Sequence, residues 1–145
     1  VTASPRTGRV VALDPGAARI GVAVSDGART LAFPRPPIPA GAGEAARCAV
    51  AVLDEGATVV VVGHPINLDG TEGEAARRAE ALAEALRDEL DELADAAVEV
   101  VLHDERLTTV TAAAKLQEAG LDARAARERV DGAAAVVLLE SWLQT

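Results

Sequence analysis

Apolar positions along the chain follow two rhythms, one of strands and one of helices. Arg9-Val-Val-Ala-Leu-Asp14 is a short apolar run stopped by Pro15-Gly16, the pattern of a buried strand ending in a turn. Ile20 to Ser25 is β-branched and alternates small with large, predicting a second strand after a tight connection. Thr30 to Phe33 predicts a short third strand, stopped by Pro34 and the prolines at 36, 37 and 39. A helix is expected from about Gly43 to Glu55. Thr58 to Val62 lacks alternation, which suggests burial on both faces, as in a parallel sheet. Between Glu74 and Ala94, Ala75, Ala79, Leu82, Leu86, Leu90 and Leu93 recur at helical spacing and predict the longest helix. Val98 to Leu102 is a further strand. Helices near Thr109–Ala119 and Asp131–Leu143 close the chain, the last apolar almost all round and expected to pack inside.

The first three strands are joined too tightly for crossovers and should form an antiparallel meander. The two later strands need helical crossovers and should add in parallel. The expected fold is therefore α/β: a mixed sheet flanked by helices. It should occupy residues 9–145 as a single domain, behind a disordered tail over residues 1–8. Half of the 145 residues are apolar, nearly all of them Ala, Val and Leu, so the core should pack small aliphatic side chains. No run of about 18 uncharged apolar residues is present to span a membrane. Cys48 is the only cysteine, which excludes an internal disulfide and a Cys-rich zinc site. Lying in a helical run, it reads as a small core residue, and a reducing cytoplasm is the expected compartment.

A net charge of −9 argues at first against nucleic acid. The charges are unevenly placed, however: residues 1–40 carry a net +3 and residues 41–100 a net −10. The acidity belongs mainly to the middle of the chain, which weakens a nucleic-acid reading without excluding it.

Several acids sit where elements begin or end. Asp14 caps the first strand, Asp104 and Glu105 follow the Val98–Leu102 strand, and Asp131 opens the expected final helix. If the first and last of these strands are neighbours, their ends could gather the carboxylates. Oxygen ligands of this kind suit Mg2+ or Mn2+, which also bind substrate phosphates. Two such ions about 3.5–4 Å apart clamp the attacking and leaving oxygens of a phosphodiester displacement. The plainer readings are a turn Asp before Pro-Gly, a helix-start Asp and a solvated loop.

Four ordered blocks bear on the choice: Leu13-Asp-Pro-Gly-Ala-Ala-Arg-Ile-Gly-Val-Ala-Val-Ser25, Val62-Gly-His-Pro-Ile-Asn-Leu-Asp-Gly-Thr-Glu72, His103-Asp-Glu-Arg-Leu-Thr-Thr109 and Val130-Asp-Gly-Ala-Ala134. In these blocks and their spacing, across about residues 9–143, the chain resembles the YqgF family, also called RuvX. Members of that family are described as Holliday-junction resolvases or pre-16S rRNA nucleases. The resemblance implies a ribonuclease H-like fold. It also implies Asp14, Glu105 and Asp131 as catalytic, metal-holding acids, with Asp104 in support. Arg106, Arg19, Asn67 and Thr108 become supporting or substrate-binding candidates. Arg106 could pair with a carboxylate or a phosphate, and Thr108 could equally cap a helix. The Gly63–Glu72 block reads more safely as a structural loop. His64 departs from the family's usual Leu and reads as a tolerated polar substitution. Ala17-Ala18 replaces a pair that usually includes a basic residue, leaving Arg19 alone there, and Gly132 is an unusually permissive residue for a helix start.

The expected activity is hydrolysis of a phosphodiester, with the 5′ region of precursor 16S rRNA as substrate. Structured RNA and ribosomal components would be the partners. Resolution of a four-way DNA junction is the alternative; it calls for a symmetric dimer and a broad basic surface. Of other classes, ATP-dependent phosphotransferases of this fold generally need two domains, and this chain has room for one. A non-catalytic RNA- or ribosome-binding module is disfavoured by retention of all three acids.

Overall fold

The computed structural model describes residues 7–67, 69–93, 97–104 and 123–145, with the backbone alone over 123–131. Among the described residues, five strands form one sheet: β1 (Val10–Pro15), β2 (Arg19–Ser25), β3 (Ala32–Pro39), β4 (Val59–His64) and β5 (Glu99–Asp104). The helices are α1 (Glu44–Asp54), α2 (Glu74–Leu93) and α3 (Ala123–Leu143). Strand order is β3-β2-β1-β4-β5. β1, β2 and β3 pair antiparallel, and β4 and β5 add in parallel through helical crossovers. This is the mixed sheet expected from the pattern, with β1 at its centre.

Alternation along the strands sorts their side chains between two cores. Val11, Leu13, Ile20, Val22, Val24, Val60 and Val62 pack against Cys48, Val52, Leu82, Leu86 and Leu90 of α1 and α2. Val10, Ala12, Ala23, Val59 and Val61 pack against Ala135, Leu138 and Leu139 of α3. Cys48 is fully buried, as expected, and burial pushes its thiol up to about 12, so it stays protonated and inert.

Two elements differ from the sequence reading. β3 does not stop at Pro34 but runs through the prolines to Pro39. It is an edge strand, where a residue without an N–H can occupy positions that face no partner. The final helix begins at Ala123, so Asp131 lies within it rather than opening it. Residues 123–130, Ala-Arg-Ala-Ala-Arg-Glu-Arg-Val, are nearly all strong helix formers and extend it backward. Gly132 is therefore an interior residue and not a helix start. It lies where α3 crosses β3 closely, and a Cβ there would stand 3.4 Å from Pro34 Cβ. The helix expected near Thr109–Ala119 and residues 1–6 of the expected tail lie outside the described residues. Gly8 donates its N–H to the Gly27 carbonyl at 2.8 Å and accepts from Arg29 Nε at 2.9 Å.

Candidate active site

Because β1, β4 and β5 are parallel, their C-terminal ends share one edge of the sheet. Asp14 stands there, half-buried, at the end of the central strand. It has the parity of Val10 and Ala12, so its carboxylate belongs to the face that α3 covers. Its register partner in β2 is Gly21. On the other side, Gly63 follows Val62, the β4 partner of Leu13. Neither flanking position contributes a side chain to that face, so the carboxylate lies between two glycines. His103, the α3-facing residue of β5, bonds through Nε2 with Ser141 Oγ of α3 at 3.0 Å and ties that strand to the helix.

The turn after Asp14 is held from two directions. Gly16 donates its N–H to the Arg19 carbonyl at 2.9 Å, and a Cβ on Gly16 would come within 2.6 Å of that same oxygen. Only glycine fits so close an approach. From α2, Arg78 donates to the Gly16 carbonyl and reaches Glu44 Oε2 at 3.4 Å. Pro15, Gly16, Ala17, Glu74, Ala75 and Arg78 line a cleft of about 470 Å3 beside the turn. Arg78 thus brings a guanidinium to the turn from a distant part of the chain, near the place where Ala17-Ala18 lacks a basic residue.

The structure distributes the sequence candidates unevenly. Arg19 has the parity of Gly21 and Ala23 and falls on the same α3 face as Asp14. Asp131 lies within α3, whose later residues cover that face. Asp104 has the parity of Val100 and Leu102, which pack toward α2, and so lies on the opposite face from Asp14. The next residue with the parity of Val101 and His103 is Glu105, which lies outside the described residues, as do Arg106 and Thr108. Asn67 closes its own loop: its N–H goes to the Thr71 carbonyl at 2.9 Å and its Nδ2 to Thr71 Oγ1 at 3.0 Å. Asp69 accepts from the Thr71 hydroxyl at 2.7 Å and its N–H at 2.9 Å, which together hold its carboxyl below the usual range. These bonds tie Asn67, Asp69 and Thr71 to one another.

Sequence reasoning missed the two glycines beside Asp14 and the reach of Arg78. Gly21 was visible inside a β-branched run, where an isolated glycine signals close approach. The contact of Arg78 with Gly16 spans 62 residues and had no local signal.

Comparison with solved structures defines the class. The fold matches a Thermus thermophilus RuvC structure with a TM-score of 0.53 at 15% identity, covering 94% of this chain and 97% of that one. It matches the yeast mitochondrial Holliday junction resolvase Ydc2 with a TM-score of 0.54 at 10% identity, covering 95% and 78% respectively. The architecture is thus the ribonuclease H-like one of RuvC-type proteins. A family model described as RuvX, Holliday junction resolvase, matches residues 8–145, and the chain belongs to that family. A relative from Thermobifida fusca, named "Putative pre-16S rRNA nuclease", is 48% identical over 97% of this chain and 89% of its own length. One of the same name from Nocardia farcinica is 42% identical over 96% of this chain and 79% of its own length.

Proposed function

We propose that this chain is a metal-dependent nuclease that hydrolyses a phosphodiester of precursor 16S rRNA, with Asp14, Glu105 and Asp131 holding its divalent ions. The observation that carries the reading is the placement of Asp14. It is a half-buried carboxylate at the end of the central strand, between Gly21 and Gly63, on the face crossed by the helix that contains Asp131.

The donor set fits the ion: carboxylate oxygens suit Mg2+ or Mn2+, which keep several waters. When bound, such ions supply electrophilic activation of the phosphodiester and of the attacking water. The chain's own residues position the rest. The Gly16 turn, fastened by Arg78, fixes the end of β1 and with it the Asp14 carboxylate. Arg19 on the same face would supply a cation toward a substrate phosphate. Asp104 lies on the opposite face of β5 from Asp14, which supports Glu105 rather than Asp104 as the second acid and leaves Asp104 a supporting role.

RNA is favoured over a DNA junction because the long helix α2 is rich in acids and residues 41–100 carry only four basic residues. A two-fold symmetric junction calls for a broad basic surface. The names of the relatives agree with processing of rRNA, which supports a cytoplasmic enzyme acting on ribosomal precursors. Among the described residues no helix is long and apolar enough to cross a membrane.

The test compares wild type with Asp14→Asn on a precursor 16S rRNA fragment and on a four-way DNA junction, in Mg2+, Mn2+ or EDTA. The expected result is metal-dependent cleavage of the RNA that the substitution abolishes. Cleavage that survives both EDTA and the substitution overturns the mechanism. Cleavage of the junction but not the RNA reassigns the substrate.

A further inference from the structure

On the sheet face opposite Asp14, three side chains converge that the nuclease reading does not use. His64 ends β4 with the parity of Val60 and Val62, which directs its ring toward α2. Its Nε2 lies 3.0 Å from Glu80 Oε1 of α2 and 3.6 Å from Glu72 Oε1. The three ligand atoms all lie within 4.8 Å of one another. We propose that His64, Glu72 and Glu80 form a second, structural metal site, for a divalent first-row transition ion such as Zn2+.

The spacing carries the proposal. A tetrahedral ion with bonds of 2.0–2.2 Å has ligand–ligand edges of about 3.3–3.6 Å. The two nitrogen–oxygen separations, 3.0 and 3.6 Å, bracket that value. A proton on Nε2 can bond one carboxylate, and Glu72 lies beyond hydrogen-bond reach. A divalent ion engages both carboxylates and offsets their mutual repulsion. The imidazole is 12% exposed, so it is already ordered, while the carboxylates at 48% and 39% exposed leave an entry path and room for a water as fourth ligand.

The three ligands come from a strand, a loop and a helix. Glu72 is fixed by its bridge to Ile66 and by the Asn67–Thr71 bonds that close the loop. The ion would lock that loop between β4 and α2. Its role is therefore stiffening, on the opposite side of the sheet from Asp14.

Zn2+ titrated calorimetrically into metal-free protein tests this, using wild type, Asp14→Asn, His64→Leu and Glu80→Gln. His64→Leu restores the usual residue of the family and should fold normally. Wild type and Asp14→Asn are expected to take up one tight equivalent and to gain thermal stability from it; His64→Leu and Glu80→Gln are expected to lose both. X-ray absorption of the loaded Asp14→Asn protein should show one nitrogen and carboxylate oxygens at zinc-ligand distances. The proposal is overturned if wild type has no tight equivalent, or if His64→Leu retains it and Asp14→Asn abolishes it. Because Asp14→Asn lacks the nuclease carboxylate, the result stands apart from the fate of the nuclease reading.

Discussion

The two faces of the sheet are built from different side chains. Toward α1 and α2 the strands present Leu13, Ile20, Val22, Val24, Val60 and Val62, which meet Leu82, Leu86 and Leu90. Toward α3, β1 and β2 present Val10, Ala12, Ala23 and Gly21, and β1 ends on that face at Asp14. The first face buries large aliphatic groups, each worth about 1.5–3 kcal/mol when fully removed from water. The second also buries Val10, Val59 and Val61 against Leu138 and Leu139, but at its C-terminal edge Asp14 is flanked by Gly21 and Gly63. On the proposed nuclease reading the chemistry lies on the second face, and a substitution should report which face it touches.

The largest expected effect is on the α3 face. Asp14→Asn should reduce cleavage by at least about 10³-fold, as removal of a central catalytic group commonly does. Its unfolding midpoint should stay near that of wild type, because no apolar contact is lost. A comparable fall in stability would instead make Asp14 a structural residue and break the division. The converse substitution is Leu86→Ala, which empties a fully buried position against the other face. Chemical denaturation should show a loss of about 2–5 kcal/mol, while the fraction that remains folded cleaves at the wild-type rate. A variant that is stable but inactive would contradict the assignment of that face.

Much of this plan was legible in the sequence, and the failures have physical causes. The apolar run ending in Asp14-Pro15-Gly16 identified a strand, its turn and the carboxylate together, because all three follow from adjacent residues. Thr58 to Val62 was legible as a strand buried on both faces for the same reason. β3 was cut short because proline was read as a stop, a rule that an edge strand escapes. Asp131 was read as a helix start because Asp suits that position; the Ala- and Arg-rich residues before it extend the helix and outweigh that preference. The roles of Gly21 and Gly63 depend on which strands flank β1, and local pattern does not encode neighbours. His64, Glu72 and Glu80 meet only because a closed loop and a crossover helix return to the end of β4.

The glycine beside Asp14 sharpens the comparison at smaller scale. Gly21→Ala adds one methyl beside Asp14, at a backbone position whose φ is not in the left-handed region. Steady-state kinetics should show kcat/KM falling by about tenfold to a hundredfold, since small displacements of a catalytic group cost that much. Stability should change by less than about 1 kcal/mol, the scale of a glycine-to-alanine change at a compatible backbone position. An unchanged rate would mean that the space beside Asp14 is not used by substrate.

The smallest effect belongs to the polar rim of the α1 side. Glu55, just beyond α1, receives Arg35 Nε at 2.8 Å and Arg9 Nη1 at 3.0 Å, linking edge strand β3 to the residue before β1. The Arg35 hydrogen bond is the main cause holding its carboxyl below the ordinary 4.5, with the Arg9 charge adding to it. A carboxyl lowered in the folded state stabilises the fold above its unfolded value and loses that contribution as pH falls through the folded value. Wild type should therefore exceed Glu55→Gln in stability at neutral pH by about 0.2–1 kcal/mol, the range of partly exposed ion pairs. The difference should shrink as the pH is taken below 4.5, and in high salt, where such pairs are screened. Cleavage by Glu55→Gln should be unchanged at neutral pH, since the pair lies on the face away from Asp14. If the substitution instead reduced cleavage without affecting stability, the two faces would be coupled through β1, and the division of labour between them would need to be redrawn.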